Sequence, residues 1–258
     1  MPESQHSTLP DIEIADLVWQ PSGADAPTLD LRGSNIRVAA GETLLISGAS
    51  GAGKSTLAAA VAGLLGTLLP GTLRGTLRVG GVDLVAAAAE GAAGVPRELL
   101  GPLGFVAAGP APRHALPRLL DDVALPLESR GVSAELLASR AHAAIISAGL
   151  PIDAAERDVA SLSGGERAQA AAATALVSTP GLVIADEPLA GLDATRAGAL
   201  AALLMEQRAT RVIVTHDVTQ FGAATARLHL DHGRVAELPA AEFSPVRADV
   251  QRDVAAQP

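Results

Sequence analysis

The 258-residue chain has no cysteine and no tyrosine, and only one tryptophan and three phenylalanines. Without cysteine there is no disulfide framework and no thiolate metal site, which suits a reducing compartment. With so few aromatics the core falls to Leu, Val, Ile and Ala. That composition disfavours an aromatic-girdled β-barrel and suits a helix-rich α/β chain. Lysine is almost missing as well: Lys54 stands alone and every other basic side chain is arginine. The balance of 19 basic against 28 acidic residues gives a net charge of −9, which argues against binding through bulk charge, so no nucleic-acid partner is expected. Long apolar runs are also lacking. The most apolar stretch, residues 57–69, is broken by Gly63 and Gly66 and closed by Pro70. It is short of the ~20 residues that span a bilayer. Residues 1–11 are polar and acidic, without the basic and apolar regions of a secretory leader, so a cytoplasmic location is expected.

What is present alternates between strand and helix patterns. Residues 12–19, 29–38, 43–47 and 73–79 read as strands, and residues 55–65 as a helix ended by the glycine and proline that follow. Residues 86–117 are rich in Ala, Gly and Pro and read as loop with short elements. Helical spacing then predicts helices over 133–149, 164–177 and 194–208, with buried strands at 182–185 and 211–215. Strands alternating with helices imply a mainly parallel sheet. Residues 227–238, folded about Asp231-His232-Gly233, read as a closing hairpin, and the polar tail after Pro239 as frayed.

Three short motifs carry chemistry. The first, Gly48-Ala49-Ser50-Gly51-Ala52-Gly53-Lys54-Ser55-Thr56, fits G-x-x-x-x-G-K-[ST] between a predicted strand and a predicted helix. Its glycines let the backbone wrap a polyphosphate, and N–H groups and the positive helix end supply donors. Lys54 adds a point charge and Ser55 a hydroxyl for Mg²⁺. That the only lysine stands here, in a chain that otherwise uses arginine, strengthens the reading over a chance glycine turn.

The second motif puts Asp186 and Glu187 at the carboxyl end of a buried strand, where α/β sheets bind ligands. Asp186 would hold Mg²⁺ and Glu187 would polarise an attacking water; an acidic turn capping the next helix is the plainer alternative. His216 occupies the same place after another strand, either structural or donating a hydrogen bond near a γ-phosphate. The third motif is Leu162-Ser163-Gly164-Gly165-Glu166. A capping box explains Ser163 and Glu166, but not two glycines in the first turn, each costing about 1 kcal/mol relative to alanine. Bare backbone there points to close approach by another surface or an anion.

In order and content these motifs resemble the nucleotide-binding subunits of ATP-binding cassette (ABC) transporters, over residues 12–238. The resemblance implies a P-loop NTPase α/β fold: a mainly parallel sheet with flanking helices, an antiparallel β subdomain and a helical subdomain at roughly 110–165. It implies one cassette domain over 1–238, with 239–258 a tail. Residues 48–56 match the Walker A loop, residues 182–187 the Walker B strand with its catalytic glutamate, and residues 162–166 the signature. Asp193 matches the D-loop and His216 the switch histidine. Trp19 falls where the family carries an aromatic that stacks on adenine; a core position on an early strand is the alternative. ATP and Mg²⁺ are the implied cofactors. The implied partners are a second cassette, whose signature meets the ATP held by the first, and a transmembrane permease, with the chain peripheral on the inner face of the membrane.

The sequence also departs from the family. Ala108 stands where a glutamine usually touches Mg²⁺ or water, Ala168-Gln169 where Gln-Arg is usual, and Thr174 where arginine is common. The resemblance therefore implies intact binding with slower turnover or weaker coupling, as in a degenerate cassette paired with an active one. Residues 116–119, 123–127 and 185–188 resemble lipoprotein and macrolide exporter ATPases, while 73–81 and 174–176 resemble energy-coupling-factor importers. Soluble cassettes acting on ribosomes or DNA repair, and small-molecule P-loop kinases, are the competing classes. The former usually carry two cassettes or basic arms, and the latter lack the 162–166 motif.

Overall fold

The computed structural model describes residues 9–91, 94–100, 103–106 and 115–236. The strands are β1 (Ile12–Pro21), β2 (Leu29–Asp30), β3 (Asn35–Val38), β4 (Thr43–Gly48), β5 (Gly71–Val79), β6 (Val82–Asp83), β7 (Leu103–Val106), β8 (Leu182–Asp186), β9 (Thr210–Val214), β10 (Ala226–Asp231) and β11 (Arg234–Ala236). The helices are α1 (Lys54–Val61), α2 (Leu84–Ala89), α3 (Arg97–Leu100), α4 (Leu119–Glu128), α5 (Ala134–Ser147), α6 (Gly164–Leu176) and α7 (Ala194–Glu206).

Two sheets enclose α1. The larger runs β11-β10-β4-β9-β8-β7 and is parallel except for the β10–β11 hairpin. Its strand β8 is buried at every position, as a parallel strand covered on both faces must be. The smaller sheet runs β2-β1-β5-β6, with β3 also on β1, and is antiparallel throughout. Leu57, Ala58, Ala60 and Val61 of α1 share one core with the inward side chains of both sheets. A second core joins Leu119, Val123 and Leu127 of α4 to Ala141 and Ile145 of α5 and Ala170 and Ala173 of α6.

The loose alternation of residues 12–19 has a definite cause. A bulge between Ala15 and Val18, with Asp16 at φ 50°, resets the strand's phase, so Ile12, Ile14, Leu17 and Trp19 all turn inward. Opposite it, a Cβ on Gly75 would lie 2.4 Å from the Asp16 carbonyl oxygen, so only glycine fits. The strand expected over 29–38 is split into β2 and β3. Gly33 turns at φ 77°, and its N–H donates to Asp16 Oδ1 at 2.7 Å. The helix expected over 55–65 stops at Val61, since the chain reverses at Gly63, φ 72°.

The described part of residues 86–117 holds short elements, as expected: the end of α2, α3 and β7. Asp83 caps α2 by accepting from the Val85 and Ala86 N–H groups, and β7 pairs with β8. Helix α4 falls inside the helical subdomain implied at roughly 110–165, although periodicity alone marks no helix there before residue 133. It carries Pro126 inside its last turns, yet Asp121 and Asp122 in the first turn and buried Leu119, Leu120, Val123, Ala124 and Leu127 outweigh that penalty.

Candidate functional site

Register assembles the site. In the large sheet Ile46 of β4 pairs with Val214 of β9, and Val214 with Asp186 of β8, so three carboxyl ends reach one edge together. Thr215 N–H donates to the Ile46 carbonyl at 3.1 Å and Glu187 N–H to the Val214 carbonyl at 2.9 Å, which carries the alignment past the strand ends.

The loop after β4 has the conformation a phosphate cradle needs. Gly48, Gly51 and Gly53 all have positive φ, at 142°, 78° and 93°, and α1 starts at Lys54. A Cβ on Gly48 would lie 2.1 Å from the Leu230 carbonyl oxygen, so β10 packs directly on the loop. The β10–β11 turn closes the outer wall: Gly233 N–H donates to the Ala52 carbonyl at 3.0 Å, and a Cβ on Gly233 would meet the Thr28 carbonyl oxygen at 2.4 Å. The sequence pattern marks the hairpin but not its place behind the loop. Nothing local links residues 230–233 to residue 48; only strand pairing does. Lys54 is buried, and its Nζ donates to the Gly48 and Ala49 carbonyls at 2.8 and 2.9 Å, so the ammonium is held at the loop.

Asp186 is 5% exposed, with Oδ1 lacking a hydrogen-bond partner. Burial pushes its carboxyl above the ordinary range, against the opposing pull of the Ser55 hydroxyl and the Lys54 charge. A buried, incompletely satisfied carboxylate beside a hydroxyl is a fitting donor pair for a hard divalent cation. Among the described residues no group of three or more His, Cys, Asp or Glu gathers to hold a metal alone, so such a cation would arrive with phosphate ligands.

Glu187 has φ 48°, a strained conformation for a non-glycine residue. His216 N–H donates to its Oε2 at 3.3 Å, and His216 Nε2 lies 3.0 Å from its Oε1. Thus Asp186, Glu187, His216, Lys54 and Ser55 share one sheet edge, with the histidine side chain 56% exposed and the glutamate 22%.

Trp19 does not join them. It is 3% exposed in the main core, and its ring fills the place a Cβ on Gly71 would need, with Cη2 at 2.4 Å. The bulge at Asp16 turns it inward, so the structure places it in the core, as the alternative had it.

The second glycine motif lies at the start of α6. Ser163 Oγ accepts from Glu166 N–H at 3.3 Å, and Glu166 Oε2 accepts from Ser163 N–H at 2.8 Å, forming the expected capping box. Gly164 is exposed, and a Cβ there would meet nothing within 4 Å. The capping carboxylate of Glu166 is held down to about 2, chiefly by the Ser163 N–H and then by Arg157. Asp193 caps α7 by accepting from Arg196 N–H at 3.0 Å. Ala108 lies outside the described residues. Gln169 is buried and donates to the Ala148 carbonyl at 2.9 Å, and Thr174 Oγ1 donates to the Ala170 carbonyl at 3.1 Å, so both serve helix packing.

Known proteins resemble this chain in sequence and fold. The family model described as ABC transporter matches residues 31–190, more than half the chain. The lipoprotein-releasing system ATP-binding protein LolD of Xanthomonas campestris pv. campestris is 37% identical over 212 residues, covering 80% of this chain and 84% of that one. LolD 2 of Rhodospirillum rubrum is 34% identical over 240 residues, covering 88% and 96%. A putative ABC transporter ATP-binding protein of Streptomyces avermitilis is 32% identical over 193 residues, and there the chain spans only 33% of the relative's length. Among solved structures, the dimeric bacterial ABC transporter cassette MJ0796 superposes with a TM-score of 0.72 at 25% identity, covering 88% of this chain and 97% of that one. With a glycine cradle, a buried acid and a capped double-glycine turn in the family's order, the chain belongs to the ABC transporter family and has its P-loop α/β cassette fold.

Proposed function

We propose that the chain is the ATP-binding and ATP-hydrolysing subunit of a transporter. Two cassettes pair on ATP, and their pairing drives solute through a permease at the inner face of the membrane. The observation that carries this is the convergence of Lys54, Ser55, Asp186, Glu187 and His216 on one sheet edge, with an exposed double-glycine helix start elsewhere on the chain. No helix among the described residues is long and apolar enough to cross a membrane, which leaves the membrane path to a partner.

The loop of residues 48–53 wraps the β- and γ-phosphates with N–H groups, and Lys54 exchanges its two carbonyl contacts for phosphate oxygens. Ser55 and Asp186 would hold Mg²⁺, which supplies charge neutralisation at the phosphates when bound. Glu187 orients the attacking water and accepts its proton, and His216, in contact with Glu187, holds that carboxylate toward the γ-phosphate. Gly164 and Gly165 offer bare backbone and the α6 N-terminus to the ATP of the second cassette. Similarity to the two LolD proteins over most of both chains favours a lipoprotein-exporter type of partner over an importer.

The test is a pull-down from detergent-solubilised membranes with Glu187→Gln and MgATP, read by mass spectrometry. A co-purified permease is expected; recovery free of any membrane protein would overturn the transporter role in favour of a soluble cassette.

A further inference from the structure

Arg157 lies outside every motif so far, yet it touches the double-glycine turn. Its Nη1 donates to Glu166 Oε1 at 2.9 Å, and its Nη2 donates to the Ser161 carbonyl at 3.3 Å. The other Glu166 oxygen closes the capping box on Ser163 N–H. With glycine at 164 and 165, the direction of the turn is left to the flanking Ser163 and Glu166 side chains of the capping box. The aim of its N–H groups therefore depends on the Glu166 carboxylate, and that carboxylate depends on Arg157. The pair is only partly exposed, 33% for the arginine and 17% for the glutamate, so water screens it less than a surface ion pair.

Arg157 is in turn fastened to the start of α4. Its carbonyl accepts from Leu119 N–H at 3.1 Å, and Val159 N–H donates to the Pro117 carbonyl at 2.7 Å. Between them Arg118 bridges to Asp158 through the backbone, and its guanidinium pairs with Glu156 at 2.6 Å. Residues 117–119 and 156–159 thus form one short strap. This strap joins the α4 N-terminus through Glu156 and Arg157 to the carboxylate that caps the glycine turn.

We propose that Arg157 is a positioning residue for the double-glycine turn, making residues 156–157 the link through which α4 sets that turn's approach to a nucleotide held by a second copy. This rests on the proposed pairing of cassettes across ATP.

The test uses the full chain with Glu187→Gln, which retains nucleotide. Binding of a fluorescent ATP analogue to the monomer is measured beside ATP-driven dimerisation by sedimentation. In this background Arg157→Gln is expected to keep nucleotide affinity within about twofold while weakening dimerisation by about tenfold, as loss of a charge-assisted bond implies. Arg157→Lys, which keeps the charge but not the two-pronged fork, is expected to recover part of the loss and serves if the glutamine variant does not fold. A purely structural role would instead lower thermal stability and nucleotide affinity together, with no recovery by lysine. Dimerisation equal to that of the parent in Arg157→Gln overturns the positioning role, whereas a parent that never dimerises with ATP overturns the pairing on which it rests.

Discussion

The two glycine-bearing turns, at 48–53 and at 163–166, differ in what surrounds them. The first is backed on one side: β10 and the 231–233 turn press on it from behind, Lys54 is buried, and a Cβ on Gly48 would collide with backbone at 2.1 Å, while Ala49, Ser50 and Gly51 stay exposed. Around the second, Gly164 faces open space, and a Cβ on Gly165 would meet only side-chain ends, Arg196 Nη1 and Leu192 Cδ2, each at 3.2 Å. Glycine is required by the packing of the fold at position 48 in the first turn. In the second the fold would accept alanine, and helix propensity would favour it. A glycine that folding does not need points to a contact outside the chain. The difference therefore separates a site complete within one molecule from a face that waits for another.

Substitutions can break this contrast, the largest effects coming first. Glu187→Gln is expected to retain MgATP but lower its hydrolysis by about 100-fold or more, in line with loss of a general base; a phosphate-release assay beside a binding titration checks it, and unchanged turnover would remove Glu187 from its role. Lys54→Ala should weaken MgATP binding by about 100-fold, since the buried ammonium is the cradle's only side-chain charge, and calorimetric titration reads the loss. Gly48→Ala should destabilise the fold by about 3 kcal/mol or more, whereas Gly164→Ala should leave stability within about 1 kcal/mol of the parent. Urea unfolding of the two variants compares the turns directly. Equal losses would erase the distinction between them.

A smaller effect comes from the buried acid. Because burial raises the Asp186 pKa in the folded chain, its ionised form opposes folding at any pH above its unfolded value, and the penalty fades as pH falls and both states protonate. Asp186→Asn is therefore expected to raise the melting temperature of the nucleotide-free chain by a few degrees near pH 7.5, with the gain shrinking toward pH 4, while MgATP hydrolysis is lost. Glu166 has the opposite sign. Held down to about 2, it stabilises the fold above its normal pKa near 4.5, and that contribution is lost as pH falls from there toward 2. Glu166→Gln should flatten the acid limb of stability over that window.

The contrast also explains how far the sequence could be read. Residues 48–56, 163–166 and 186–187 were legible because their chemistry is local: a phosphate loop, a cap and a strand end are each written within ten residues. The meeting of residues 48–56 with 186–187 at one edge was legible only through resemblance, since it depends on the register of β4, β9 and β8. The place of Trp19 in the core was hidden for a different reason. Its inward aim is set by one bulge residue, Asp16, and a bulge shifts every later side chain to the opposite face without leaving a pattern in composition. Helix α4 escaped notice because Pro126 reads as a breaker, while the burial that overrides it comes from α5 and α6. Arg157 was invisible for the same reason: its partner Glu166 is explained locally by the capping box, so nothing in the sequence asks for a second one.

The most direct test of the division between a complete site and a waiting face is sedimentation velocity on Glu187→Gln with and without MgATP, beside the same chain carrying Gly164→Asp. A shift from monomer to dimer is expected on adding MgATP. Gly164→Asp should abolish that shift while leaving nucleotide binding and folding intact. A chain that stays monomeric with MgATP bound, or a dimer indifferent to aspartate at position 164, would contradict that division.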